Sequence, residues 1–256
     1  MGSNTSSSVK SYGTSSVHSL YSSFVFRPPS LDLKNYDHSI YDKIIRIKSS
    51  NDMEISLTIN KYENSNKYII FSHGNAADIL SVDNFCKSLS EKLKINVVLY
   101  DYQGYGFSTG KPCEQNCYDD LYSVIEYVKL YKPTNIFLIG QSLGTGIVVD
   151  YVSKYKWKDP VMLISPYESI ISVVNNSFNS ITQYIDMFDT KNKISCATCP
   201  ILIIHGEQDK LININDSKRL YKKIKNKINP IWIEDAGHND ILSFITDEMF
   251  EKLLNH

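Results

Sequence analysis

No stretch of the sequence is long and apolar enough to cross a bilayer, which takes about 18 consecutive apolar residues, so no transmembrane helix is expected. Surplus positive charge is also missing. Lys+Arg number 27 against 28 Asp+Glu, a formal net charge of −1. Without a basic surplus the chain is not built to neutralise a phosphate backbone, which argues against nucleic acid as its main ligand. Cysteine is scarce and odd in number: Cys86, Cys113, Cys117, Cys196 and Cys199 cannot all pair with one another. The first 30 residues show no basic stretch leading into an apolar one, so no secretory signal is expected; free thiols and a cytoplasmic setting are. Cys113/Cys117 and Cys196/Cys199 offer four thiolates, but the pairs lie far apart and flank recognisable loops, so no metal is expected. A phosphate loop is lacking too. Gly104 and Gly106 form a G-x-G in the wrong context, and Lys111-Pro112 does not complete one. No organic cofactor is implied, and no internal repeat is present.

Residues 1–23 are rich in serine and poor in large apolar side chains before Leu20, so this tail is expected to be disordered. It opens Met1-Gly2-Ser3-Asn4-Thr5-Ser6, which fits the pattern for myristoylation of Gly2; a chance match is the plain alternative. A single myristoyl chain binds membranes only marginally, and no cysteine and only Lys10 and Arg27 as early basic residues stand ready as a second signal. Phe24, Phe26, Pro28 and Pro29 read as an apolar, proline-stiffened lead-in. The domain is expected to span 24–256, with regular structure beginning near residue 36.

Ile44, Ile45 and Ile47 lie in a β-branched run, and Met53–Ile59 alternates apolar with polar, the mark of a half-buried strand. These two predict an antiparallel opening pair. Short continuous apolar runs then recur at Tyr68–Phe71, Ile95–Tyr100, Ile136–Ile139, Val161–Ile164, Ile201–Ile204 and Ile231–Ile233. Such runs suit strands buried on both faces, and helices are expected between them at 77–93, 116–130, 143–155, 215–225 and 239–254. The pattern predicts an α/β fold, a mostly parallel sheet of about eight strands with helices on both faces.

Ligands of such sheets bind beyond the carboxyl ends of the strands, and there the chain concentrates Gly, His, Asp and Ser. The central motif is Gly140-Gln141-Ser142-Leu143-Gly144, a G-x-S-x-G between a strand and a helix. In that context it reads as a nucleophile elbow. The glycines are needed because a Cβ at either flank would strike the neighbouring strand or helix. The turn lifts the Ser142 hydroxyl to the sheet edge and sets a helix N-terminus beneath developing negative charge.

A serine nucleophile needs a base. Of six histidines, His238 follows the last strand and alone completes the order Ser…Asp…His. His73 and His205, each before a glycine, read as loop-tying residues. Asp209 is the expected carboxylate partner, with Glu207 and Asp235 as rivals and helix capping as its plain alternative role. The backbone N–H groups of Leu143 and Asn75 are the expected oxyanion-hole donors.

Together, Phe71-Ser72-His73-Gly74-Asn75-Ala76, Asp101-Tyr102-Gln103-Gly104-Tyr105-Gly106, Ser108-Thr109-Gly110-Lys111-Pro112, the Tyr/Leu-rich stretch 118–122, Gly140–Thr145, Ile203–Asp209 and Gly237-His238-Asn239-Asp240 resemble the α/β-hydrolases. More narrowly, they resemble the depalmitoylating hydrolases grouped around α/β-hydrolase domain-containing protein 17. Phe188-Asp189-Thr190 and the Phe26–Tyr36 lead-in are similar as well, so the resemblance covers 24–254. Bem46-like hydrolases share much of the same combination.

The resemblance implies hydrolysis of S-palmitoyl thioesters on membrane-associated proteins, through Ser142, Asp209 and His238. Esters and peptides remain chemically open alternatives, as does a non-catalytic binding role of the same fold. The expected partner is an acylated protein or acyl ester, with peripheral contact at the cytosolic face of a membrane left open; oligomeric state is not readable. One departure stands out: the resembled group has a Cys-rich, palmitoylated N-terminus, and this chain has no cysteine before Cys86. Between the sixth and seventh strands, Phe178, Ile181, Tyr184, Ile185, Met187 and Phe188 read as one or two short helices beside Ser142, suited to an acyl chain or to plain core.

Overall fold

The computed structural model describes residues 25–31, 38–174 and 186–256. The tail 1–23 with Gly2, the lead-in residue Phe24, and Phe178, Ile181, Tyr184 and Ile185 of the inter-strand segment lie outside the described residues.

Among the described residues, eight strands make one sheet: β1 (Ile45–Lys48), β2 (Glu54–Asn60), β3 (Lys67–Ser72), β4 (Asn96–Tyr100), β5 (Asn135–Gln141), β6 (Val161–Ile164), β7 (Ile201–Gly206) and β8 (Ile231–Ile233). Their spatial order is β1-β2-β4-β3-β5-β6-β7-β8. β1 pairs antiparallel with β2, and β2 with β4; every later pair is parallel. The parallel register sets Ser72 beside Gly140 and Gln141 beside Ile164, so β3, β5 and β6 end level with one another at one rim.

Alternation along each strand divides the core in two. Tyr68, Ile70, Leu138, Leu163 and Ile203 face α2 (Glu114–Lys129), α3 (Leu143–Lys154) and α6 (Ile214–Lys223), where Leu121, Ile147 and Leu220 meet them. Ile69, Phe71, Leu99, Ile139 and Ile204 face α1 (Ile79–Leu93) and α8 (Asp247–Leu254), packing on Cys86, Leu89, Phe250 and Leu253. Covered on both faces, β3 to β7 need the continuous apolar runs that the sequence shows.

Local chemistry sets the helix ends. Asp78 caps α1: its Oδ1 accepts from the Ser81 N–H at 2.9 Å while the Ser81 hydroxyl oxygen accepts from the Asp78 N–H at 2.9 Å, a reciprocal box. Short helices α4 (Ile170–Val174) and α5 (Thr190–Lys193) flank the segment between β6 and β7, and α7 (Ile241–Phe244) precedes α8.

Two expectations are corrected. The helix predicted over 239–254 is broken, because Ile245 and Thr246 are extended (ψ 121° and 162°) and α8 restarts at Asp247-Glu248. Acidic residues favour a helix N-terminus, so Thr246-Asp247-Glu248 is a start signal inside what looked like one helix. Strand β2 is not half-buried either. Ile55 and Leu57 join the α2/α3 side of the core, and Ser56 and Thr58, which point the other way, are buried as well. The sheet's second layer covers a face that the sequence marks as polar.

The lead-in belongs to the core. Phe26 is buried and meets Phe188 edge to face, ring centroids 6.1 Å apart. Met187 and Phe188 are buried core residues. Replacing Phe26 with Ala should lower the unfolding free energy by about 3 kcal/mol, read from urea denaturation. An unchanged midpoint would show that the lead-in folds independently of the sheet.

Candidate active site

At the end of β5 the chain turns sharply. Ser142 sits at φ 49°, ψ −116°, immediately before Leu143 opens α3. An L-residue held there costs about 1–3 kcal/mol, so the surroundings must enforce it. They do so on three sides. The Ser142 N–H donates to the Ile164 carbonyl of β6 at 2.9 Å. The Thr145 N–H and hydroxyl both donate to the Ser142 carbonyl, at 2.9 and 2.6 Å. The flanking glycines allow the remaining approach: a Cβ on Gly140 would stand 2.6 Å from the Gly144 carbonyl oxygen, and one on Gly144 would run into the Ser72 carbonyl of β3.

His238 reaches this hydroxyl from the loop after β8. The Ser142 Oγ–H donates to His238 Nε2 at 3.1 Å, and His238 Nδ1–H donates to Asp209 Oδ2 at 2.7 Å. The His238 side chain is 13 % exposed and the Asp209 carboxylate not at all, so the serine–imidazole end meets solvent and the acid end does not. Of the rival carboxylates, Glu207 and Asp235 are both exposed.

Asp209 fills its turn as well as meeting His238. Its Oδ1 accepts from the N–H groups of Leu211 and Ile212, at 2.9 and 2.8 Å, while Oδ2 faces the imidazoles. The helix that follows, α6, is capped instead by Asn213, whose side chain accepts from the Asn215 N–H, so the capping role weighed from sequence falls to Asn213 and not to Asp209. Burial alone would raise this carboxyl. The hydrogen bonds from His205, His238 and the Ile212 N–H, together with the His238 charge, outweigh it and hold the group well below the usual carboxylate range.

The oxyanion candidates lie on the facing loops. Leu143 is the first helical residue of α3, so its N–H has no intrahelical acceptor. Gly74 follows β3 closely enough that a Cβ on it would sit 3.7 Å from Ser142 Cβ, which brings the Gly74-Asn75 backbone alongside the serine. The Asn75 side chain has work of its own that the sequence did not signal. Its Nδ2 donates to the Val25 carbonyl at 2.6 Å; its Oδ1 accepts from the Arg27 N–H at 3.0 Å and from the Tyr105 hydroxyl at 2.6 Å. The residue therefore ties the lead-in to the loop beside Ser142.

His73 braces that loop from behind, with Nδ1–H donating to the Gly74 carbonyl at 2.8 Å and the ring against Tyr102 at 4.2 Å between centroids. Burial pushes His73 down to about 4, so it stays neutral near pH 7. His205 does more than tie its loop: it also faces Asp209, with 3.3 Å from Nε2 to Oδ2. A groove of about 1060 Å³ runs between the start of α2, the later turns of α3 and the lead-in, lined by Phe26, Pro112, Tyr118 and Lys193 among others. Neither Ser142, Asp209 nor His238 lines it, so its size alone does not make it the reaction site. All five cysteines are free thiols.

A serine aminopeptidase family model matches residues 63–186. The chain is 40 % identical over 242 residues to a protein of Acanthamoeba polyphaga mimivirus named as an α/β hydrolase, covering 91 % of each. To α/β hydrolase domain-containing protein 17C of Mus musculus it is 38 % identical over 181 residues, 69 % of this chain but only 56 % of that protein. The chain thus spans little more than half the length of the mouse relative. Among solved structures, an esterase of Pyrococcus furiosus superposes with a TM-score of 0.69 at 19 % identity, over 88 % of this chain and 96 % of that one, which is a likeness of fold. With similarity at 40 % identity running along nearly the whole of both sequences, the chain belongs to the α/β-hydrolase family, where it resembles the domain-containing protein 17 members.

Proposed function

We propose that the protein is a serine hydrolase that cleaves S-acyl, above all S-palmitoyl, thioesters of membrane-associated proteins. The observation that carries the chemistry is the continuous contact from Ser142 Oγ to His238 Nε2 at 3.1 Å and from His238 Nδ1 to Asp209 Oδ2 at 2.7 Å. Ser142 gives its proton to His238 as its oxygen bonds to the acyl carbon. Asp209 fixes the ring with Nδ1 protonated and stabilises the imidazolium that forms. The N–H groups of Leu143 and Asn75 receive the oxyanion, helped by the N-terminal end of α3. Collapse of the intermediate breaks the C–S bond, and the sulfur leaves with the proton from His238. Water then repeats the sequence on the acyl-serine, releasing the fatty acid and restoring Ser142.

The thioester preference rests on the likeness to the domain-containing protein 17 group, and with it goes the expectation of work at the cytosolic face of a membrane. A carboxylesterase or peptidase with the same three residues is the second reading, favoured by the serine aminopeptidase family model. Identical triad chemistry serves both, so only turnover separates them.

Labelling with a fluorophosphonate should mark wild-type protein and vanish in Ser142→Ala. Loss of labelling together with hydrolysis of a palmitoyl thioester supports the whole reading. Labelling with turnover of short esters or peptides alone moves the substrate to the second reading, and labelling that survives in Ser142→Ala rejects the nucleophile. Asp209→Asn should cut kcat by roughly 10⁴-fold, since the ring then loses the acceptor that fixes its tautomer.

The same carboxylate gives a pH dependence of stability. Because its folded-state pKa is depressed, its contribution is fully present above the ordinary aspartate value of about 3.9 and is lost as acid protonates the unfolded chain first. The unfolding free energy of wild type should therefore exceed that of Asp209→Asn above about pH 5, and the gap should shrink as pH falls below about 4 toward the depressed folded-state value. Urea titrations of both at each pH would check this; a gap that widens with acid would contradict it.

A further inference from the structure

We infer that His205 is a positioning residue for Asp209, a second imidazole that holds the carboxylate in register with His238 and limits the charge it offers to that ring. The inference rests on the proposed roles of Ser142, His238 and Asp209.

His205 is the penultimate residue of β7, with no solvent exposure. Its Nε2 lies 3.1 Å from the Ile212 carbonyl oxygen and 3.3 Å from Asp209 Oδ2. A carbonyl and an ionised carboxylate only accept, so Nε2 carries the proton and shares it between them. The other nitrogen, Nδ1, is 2.6 Å from Ser217 Oγ on α6, and that oxygen also lies 3.0 Å from the Pro166 carbonyl. The ring is therefore anchored on both sides, and it meets Asp209 Oδ2 through Nε2, whereas His238 meets the same oxygen through Nδ1.

Asp209 is thus gripped between two imidazoles. Oδ1 is committed to backbone N–H groups, and Oδ2 is divided between the His238 donor at 2.7 Å and the His205 donor at 3.3 Å. Were His205 without a donor, Oδ2 would be held only by the ring that it must orient. Neither the His205 nor the Asp209 side chain is exposed to solvent, so bulk water does not stand ready to replace the donor. His205 also heads the hydrogen bonds that lower the Asp209 carboxyl. Removing one donor from a shared oxygen leaves more negative charge facing His238, which stabilises its protonated form.

The experiment compares His205→Leu, which keeps bulk without a donor, with His205→Gln, whose amide nitrogen can occupy the Nε2 position. The readouts are kcat, KM and the pH profile of kcat on an acyl ester or thioester that wild type turns over, with fluorophosphonate labelling alongside. His205→Leu should lose roughly 10- to 100-fold in kcat at nearly unchanged KM, the scale of one hydrogen bond to a charged group. The acid limb of its profile should move to higher pH, and His205→Gln should recover most of both effects. If His205→Leu does not fold, Ser217→Ala keeps the imidazole but frees its far side, and should shift the limb in the same direction by less. An unmoved acid limb, with His205→Gln no better than His205→Leu, overturns the inference and leaves His205 a packing residue. Absence of labelling on wild-type Ser142 would instead reject the proposed function itself, so the two failures are distinct.

Discussion

Everything at the rim depends on how closely three strand ends can approach the start of one helix. Ser142 holds a backbone conformation unfavourable to any side chain, and it does so because α3 begins pressed against the ends of β3 and β5. The Ser142 N–H is tied to β6, its carbonyl is taken by Thr145, and Gly140 and Gly144 leave no room for a Cβ. The cost of the turn is borne by the two-sided core behind it, whose continuous apolar strands fix the sheet's geometry.

The second organising element is a carboxylate with no spare capacity. Asp209 spends one oxygen on its own loop and the other on imidazoles, so loop conformation and ring orientation are one constraint. This arrangement suits a group that must stay ionised while buried. Each donor offsets part of the desolvation, and the loop itself supplies two of them.

Most of this architecture was legible in the sequence because its signals are local. Six short apolar runs separated by helix-length spacers give the parallel sheet; glycines two residues either side of Ser142 give the turn; and chain order suffices to bring Ser142, Asp209 and His238 together. What was hidden depends on contacts between distant segments. Ser56 and Thr58 are polar by composition, and only the layer packed over β2 makes them interior. Asn75 enters the sequence reading only through its backbone N–H, and the work of its side chain shows once Val25 and Tyr105 are seen around it. His205 and Asp209 are close in sequence, but the turn between them has to be built before the ring is seen to face the carboxylate. The break before Asp247 is the opposite case: its signal was local, and the longer apolar periodicity of 239–254 masked it.

The clamp at Asn75 fixes where the chain enters the domain. Val25 is held by a hydrogen bond to the loop that runs beside Ser142, and Phe26 is locked into the core directly after it. The point of attachment for anything upstream is therefore on the same rim as the serine, not on the far edge of the sheet. At the other end of the described chain α8 packs on the opposite layer from α3, so Val25 and Leu254 lie on different sides of the sheet's core. Val25 and Leu254 are thus unequal points of attachment: a cross-link made at Val25 sits by the Ser142 loop, and one made at Leu254 sits on the far layer.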